Sequence, residues 1–279
     1  MRILIAADME GISGVVHWDQ VNNKHSEYTR FRKVMTDDVN AAIQGAFDAG
    51  VEEVVVSDGH GSGRNILIEQ LDPRAKLNSG SPSPLAMVQG VAEIAAPDGQ
   101  SAAMFVGYHA REGSQNAILD HIWSASCVAN VWLNGQAVGE IGLNAAVCGH
   151  YGVPVILCSG DQTACAEAAS LLGPIETVEV KRATGRMAAE CLPPEVAQSR
   201  IKKAARRAVE MLQRGQAPPP LQVDLPVNVR IELVSSEMAD RAMLLPGVQR
   251  PEGKKLEAIA NDVPTAYKTM RAAVTLARG

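Results

Sequence analysis

The run Ile3-Leu4-Ile5-Ala6-Ala7-Asp8-Met9-Glu10-Gly11 decides the fold of this 279-residue chain. It reads as a short apolar strand that ends in two acids spaced by one residue. Positions two apart share a face of a strand, so Asp8 and Glu10 project together from its C-terminal end. Two carboxylates held that close repel unless a cation or a proton lies between them. The first expectation is therefore a metal site.

Two further strands lead outward from that reading. Val54-Val55-Val56-Ser57-Asp58-Gly59-His60-Gly61 is a β-branched run broken by a Gly-rich turn that carries His60. Ala102 to Val106 leads in the same way into Gly107-Tyr108-His109-Ala110. In open α/β sheets, ligands collect in the crevice beyond the carboxyl ends of the strands. Asp8, Glu10, His60 and His109 are thus expected to converge despite their separation in sequence. Between the first two strands, Phe31, Val34, Met35, Val39, Ile43 and Phe47 recur at helical spacing, and Gly50 supplies a stop. A strand-helix-strand unit predicts parallel pairing. Pro84 to Val91 reads as a short helix, and Leu143 to Tyr151 as a helix before a Val153 to Leu157 strand. Asp161 is placed as the N-cap of a helix running through Leu172.

One segment interrupts this alternation. Val128 to Leu133 has β character, and Asn134-Gly135 before Gln136-Ala137-Val138 is the dipeptide of a two-residue type I′ hairpin. Glu140, just past the hairpin, falls at a strand-to-helix junction where helix amides favour an anion. It is a candidate fifth ligand. Beyond Val180 the pattern changes. A helix from about Pro194 to Arg214 gives way to Gly215-Gln216-Ala217-Pro218-Pro219-Pro220, an extended connector. Val227 to Val234, Leu256 to Ala260 and Val263 to Leu276 then suggest strand, strand and helix. The expected fold is α/β: a mostly parallel sheet flanked by helices with a β-hairpin insertion, plus a smaller C-terminal α+β part. Residues 1–182 form the expected metal-binding domain and 183–279 the smaller one.

Composition narrows the function classes. A formal charge of −5 argues against general affinity for a phosphate backbone, and the basic cluster Arg200 to Arg214 is read as a helix face. The cysteines (127, 148, 158, 165 and 191) include no Cys-x-x-Cys pair, which fits small core residues in a reducing compartment. The start of the chain carries too short an apolar run for a signal peptide, so the cytoplasm is the expected location. His17, His25 and His150 match no motif and are assigned to surface or packing roles.

Taken singly, each of these features has a plainer reading. An Asp-x-Glu strand end is commonly a turn with solvated acids, His60 a hydrogen-bonded surface residue, His109 a satisfied core residue and Glu140 a helix cap. Their succession at consecutive strand ends carries the metal reading. Four segments in order, Asp8-Met9-Glu10-Gly11-Ile12-Ser13-Gly14, Ser57-Asp58-Gly59-His60-Gly61, Gly107-Tyr108-His109-Ala110 and Gly139-Glu140-Ile141-Gly142-Leu143-Asn144, resemble those of the zinc-dependent D-aminopeptidase family over about residues 1 to 180. The resemblance implies a dinuclear zinc aminopeptidase acting on short D-amino-acid peptides of the D-Ala type. It implies a ring-built homodecamer of two pentamers. It also implies that Asp8 bridges two ions, with Glu10, His60, His109 and Glu140 as the other ligands. His121, in Leu119-Asp120-His121-Ile122, matches the family's proposed catalytic histidine, but Ile122-Trp123 follow where the family often carries a small hydroxyl residue. Asp58, Tyr108 and Asn144 are expected to support the site without ligating.

The chemistry of these residue types agrees. Zinc takes imidazole nitrogen and carboxylate oxygen at about 2.0 to 2.2 Å. Two ions roughly 3.5 to 4 Å apart polarise a peptide carbonyl and lower the pKa of water. The same mixed shell accepts Mn²⁺ or Co²⁺. His121 is read as a proton shuttle or oxyanion stabiliser, a direct nucleophilic role being less economical beside a metal-activated water, and Glu10 is the candidate partner of the substrate amine. Two rivals remain at this level. One is a Mg²⁺-dependent phosphotransferase with Asp8 as nucleophile, against which the histidines stand. The other is a non-enzymatic subunit with a closed structural metal.

Overall fold

The computed structural model describes residues 1–96 and 100–279. In chain order the first layer contains β1 (Arg2–Ala7), α1 (Glu27–Asp48), β2 (Glu53–Asp58), β3 (Lys76–Asn78), the single turn α2 (Val91–Ile94) and β4 (Ser101–Tyr108). The hairpin strands β5 (Val128–Leu133) and β6 (Gln136–Ala137) follow. After them come α3 (Glu140–His150), β7 (Val155–Asp161), α4 (Gln162–Leu172), β8 (Glu176–Gly185), β9 (Ala188–Cys191) and α5 (Pro194–Gln213). The chain ends with β10 (Val227–Leu233), α6 (Ser236–Ala242), β11 (Gln249–Glu252), β12 (Lys255–Ala260) and α7 (Val263–Arg278).

The first sheet has the order β3-β2-β1-β4-β7-β8-β9 and is parallel except for β9. Alternation along β1 sorts its side chains between two cores. Ile3, Ile5 and Ala7 join Val54, Val56 and Met104 under α1 and α5. Leu4 and Ala6 join Val55, Ala103 and Phe105 in the core shared with α3 and α7. Each fully buried Ile or Leu stabilises the fold by about 1.5–3 kcal/mol, whereas a solvent-exposed ion pair such as Arg206–Glu210 adds little. The two-sided burial of β1 and β4 therefore dominates, and it fixes where their acidic and imidazole-bearing ends lie.

The second sheet, β11-β12-β10-β5-β6, is antiparallel. The expected hairpin is its outer part. Asn134 and Gly135 take φ of 48° and 83°, as a type I′ turn requires, and β5 pairs with β10 rather than with the parallel sheet. The chain beyond residue 183 is shared between both sheets. Residue 183 itself lies within β8, α5 packs on α1, and of this part only the chain from β10 onward joins β5 and β6 in the second sheet. The apolar stripe of α5 (Ala197, Ile201, Ala204, Ala205, Ala208, Val209) is buried, and Arg206, Arg207 and Arg214 pair with Glu210 or Glu176 on its outer side, a helix face as expected.

The short helix expected over Pro84 to Val91 is absent. A 3-10 turn at Ala86–Val88 and α2 replace it, because Ala86 and Gly90 take φ of 43° and 100° and break the helical path. Cys127, Cys148, Cys158 and Cys165 are buried thiols and Cys191 is exposed; all are free. Among the described residues no helix is long and apolar enough to cross a membrane.

Candidate metal centre

Three parallel strands and one helix deliver the cluster. Asp8 and Glu10 follow β1, His60 follows β2, His109 follows β4, and Glu140 is the first residue of α3. All five lie together. His60 Nδ1 stands 3.0 Å from Glu10 Oε2 and 3.4 Å from Asp8 Oδ1. His109 Nε2 stands 3.4 Å from both Asp8 Oδ2 and Glu140 Oε1. His121 joins them, with Nε2 at 3.7 Å from Glu140 Oε1 and its ring stacked 4.0 Å from that of His109. Two sets of possible ligand atoms each fit within 4.8 Å of one another: Asp8, Glu10 and His109, and His109, His121 and Glu140. The second set brings His121, expected as a catalytic group, into ligand range as well.

The three imidazoles are oriented by one device. His60 Nε2 donates to Val21 O at 2.9 Å, His109 Nδ1 to Ala110 O at 2.9 Å, and His121 Nδ1 to Leu119 O at 2.8 Å. A carbonyl only accepts, so the proton is placed on that nitrogen and the other nitrogen turns its lone pair toward the carboxylates, the arrangement a metal-binding histidine needs. Asp8 Oδ2 and His109 Nε2 are buried, face each other at 3.4 Å and have no hydrogen-bond partner. A cation fits this donor set.

Electrostatics point the same way. Burial and the neighbouring Glu10 push the Asp8 carboxyl up to about 7. Burial opposes charge on His109, yet Glu140 and Asp8 lift its imidazole to about 10. Burial likewise opposes charge on Glu10, but the charge and hydrogen bond of His60 hold it well below the usual carboxylate range. His121 moves the other way, lowered by burial and by the charge of His109. With only protons available, His60 and His109 must carry charge to offset the buried carboxylates; bound cations would displace those protons.

The supports are equally specific. A Cβ on Gly11 would lie 2.0 Å from Tyr108 O, so only glycine lets the Asp8-Glu10 loop cross the end of β4, where Gly11 N donates to Gly107 O. Buried Lys181 on β8 donates to the carbonyls of Glu10, Ile12 and Val15 at 2.6, 2.9 and 2.6 Å. Asp38 on α1 accepts from Ser13 N and Oγ in the same loop. The Asp58 carboxylate is occupied by Asn65 N, Asn65 Nδ2 and Ile66 N, which shapes the His60 turn. Asn144 donates to Tyr108 Oη and accepts from Tyr267 Oη. Asp161 caps α4 through Thr163 N and Ala164 N, and its other oxygen accepts from Ile118 N near His121. Arg186 holds Asp120 beside His121. Lys181, Asp38 and Arg186 carry no sequence signal: each lies far along the chain from the loop it holds.

A cavity of about 720 Å³ opens beside the cluster, lined by Asp8, Glu10, His60, His121 and Glu140 on one side and by α7 on the other. The D-aminopeptidase family profile matches residues 1–272. A D-aminopeptidase of Bacillus subtilis (strain 168) is 34% identical over 278 residues, which span 99% of this chain and 98% of that protein. A solved structure, described as the Zn-dependent D-aminopeptidase DppA from Bacillus subtilis, a self-compartmentalizing protease, superposes with a TM-score of 0.93 at 33% identity, covering 100% of this chain and 98% of that one. The sequence, the fold and the buried cluster thus agree: this chain belongs to the D-aminopeptidase family.

Proposed function

We propose that this enzyme is a zinc-dependent aminopeptidase that removes a D-configured N-terminal residue from short peptides. Asp8, Glu10, His60, His109 and Glu140 would hold two zinc ions. The observation that carries the reading is the pair of orphaned atoms, Asp8 Oδ2 and His109 Nε2, inside a buried group of three carboxylates and three imidazoles. Three carboxylates with neutral imidazoles carry three negative charges, which one divalent ion leaves undercompensated and two offset. Zinc supplies a Lewis acid toward a peptide carbonyl and toward water.

The chain's own groups supply the rest. His121 Nε2 is the uncommitted ring nitrogen beside the cleft, since Nδ1 is held by Leu119 O. It is the atom placed to take a proton from the water that attacks the scissile carbonyl and to return it to the leaving amine. Trp18 packs edge-on against the His121 ring, 5.4 Å between centroids, and restricts its rotation. Glu10, whose carboxyl also lines the cleft, is the candidate partner for the substrate's ammonium.

The phosphotransferase alternative is disfavoured by three imidazole nitrogens among the ligand atoms, since Mg²⁺ selects oxygen. An open cavity against the cluster disfavours a closed structural metal. Mn²⁺ and Co²⁺ suit the same donors. The relative described as self-compartmentalizing supports a ring-built homodecamer for this chain too, and its buried free thiols support the cytoplasm as its compartment.

The test is amine release from matched D- and L-aminoacyl dipeptides by chelator-treated protein before and after zinc is restored. Zinc-restored cleavage that favours the D-series is expected, with His121→Gln lowering kcat by about 10²–10⁴ while zinc content holds. Stoichiometric zinc without cleavage of any peptide would overturn the reading.

A further inference from the structure

The cleft has a second wall that the metal chemistry does not use. Lys268, Arg271, Thr275 and Arg278 recur along α7 at intervals of three, four and three residues, one face of the helix, and all of them line the cavity that also exposes Asp8, Glu10 and Glu140. Among the described residues, no carboxylate forms an ion pair with Lys268, Arg271 or Arg278. Among the described residues, Arg2, Arg30, Arg32, Arg64, Arg111 and Arg200 also lack a carboxylate partner, but none of them lines this cavity.

Arg271 is held in place. Its Nη1 donates to Ser83 O and Pro84 O, both at 2.8 Å, and its guanidinium lies 5.7 Å from the ring centroids of Trp123 and Tyr267. With Nη1 committed, the edge formed by Nε and Nη2 is left for a ligand, and that edge matches a carboxylate in bidentate fashion. A guanidinium fixed in advance loses little entropy on binding.

Trp123 sets the distance between the walls. Its backbone N donates to Glu140 Oε1 at 2.7 Å, its carbonyl accepts from Arg278 Nη2 at 3.2 Å, and its ring meets Tyr267 edge-on at 5.6 Å. It holds φ of 59°, a left-handed value that a bulky residue keeps only when its surroundings impose it. The basic face is therefore one tryptophan away from the metal cluster, with Trp123 touching both walls.

We propose that the basic face of α7 is a carboxylate subsite that binds the free C-terminus of a di- or tripeptide whose amino end lies at the cluster. Arg271 would be the principal contact, with Lys268 and Arg278 flanking it. The subsite rests on the aminopeptidase reading and narrows it, because a cleft with acids at one end and unpaired cations at the other selects short zwitterionic peptides over long or C-terminally blocked ones.

The test compares kcat and KM of the zinc-loaded protein on D-Ala-D-Ala and on its C-terminal amide, for wild type and for Arg271→Gln, Arg271→Lys, Lys268→Gln and Arg278→Gln. The free acid is expected to be preferred by about 10- to 100-fold, the worth of charge-assisted hydrogen bonds, and mainly through KM. Arg271→Gln should shrink that ratio about tenfold or more, Arg271→Lys should restore part of it, and the two flanking variants should shrink it less. The flanking variants leave the Ser83 and Pro84 carbonyls held, so they test the subsite even if Arg271→Gln disturbs that loop. Equal wild-type turnover of acid and amide would overturn the subsite and leave the aminopeptidase standing, as would an acid preference untouched by all four variants. Turnover of neither substrate would overturn the aminopeptidase reading and the subsite together.

Discussion

The two walls of the cleft are built in opposite ways. The acidic wall is assembled from the ends of β1, β2 and β4 and the start of α3, so its side chains come from distant parts of the chain and are almost fully buried. The wall on α7 comes from a single helix face, and its outer members, Lys268 and Arg278, are exposed. Parallel strands packed on both faces give the first wall fixed backbone positions and a buried supporting layer in Lys181, Asp38 and Asp58. The helix gives the second wall periodic spacing and leaves most of it in solvent. Precision is concentrated where charges must be held together against their own repulsion. It is relaxed where a mobile, hydrated carboxylate is to be met.

This contrast breaks first at Asp8. Asp8→Ala should abolish zinc retention and lower kcat/KM by more than the roughly 100-fold that loss of an outer partner of a metal ligand costs, as read by elemental analysis and dipeptide hydrolysis. If zinc stayed bound, the acidic wall would not depend on the residue at its centre.

The supporting layer comes next. Lys181→Met strips the donor from three carbonyls of the Glu10 to Val15 loop and should cost about 3 kcal/mol in urea denaturation, with a weaker hold on zinc. No comparable loss is expected from the outer cations of α7, Lys268 and Arg278.

Asp38 sharpens the same point through pH. Burial pushes its carboxyl up to about 6, against the pull of its Ser13 hydrogen bonds. Since the folded value lies above the unfolded one, this group favours the fold below about pH 4, and that contribution is lost as pH rises through about 6. Two units correspond to roughly 3 kcal/mol. The stability of Asp38→Asn relative to wild type should therefore rise by up to that amount between pH 4 and 7, and a flat difference would remove Asp38 from the layer.

The smallest effect belongs to the solvent side. Lys268→Gln and Arg278→Gln should each change unfolding stability by no more than about 0.5 kcal/mol, the usual range for exposed sites without buried partners. A larger loss would mean that these cations hold the fold together.

The same contrast explains what sequence reading reaches. Asp8, Glu10, His60 and His109 are readable because each follows an apolar strand, and parallel topology dictates that such ends meet. Glu140 is readable from the Asn134-Gly135 turn and the helix that starts behind it. His121 follows no strand, and only the family resemblance singles it out. Lys181 sits in a strand of mixed charged and apolar residues, Glu179, Lys181 and Arg182 among them, and lies 171 positions from Glu10. No local pattern marks it as buried. Lys268, Arg271 and Arg278 have the spacing of an ordinary solvated helix face, and only the packing of α7 beside Trp123 turns that face toward the cleft. The boundaries behaved similarly. Glu27 starts α1 and Glu140 starts α3 earlier than their apolar periodicity begins, because the first turn of each helix includes polar residues that periodicity does not register.

The most direct measurement is anomalous diffraction at the zinc edge from crystals of the zinc-loaded protein. Two zinc peaks per chain are expected within the cluster of Asp8, Glu10, His60, His109 and Glu140. Zinc bound away from Asp8, or no zinc at a cluster that still cleaves D-peptides, would contradict this account.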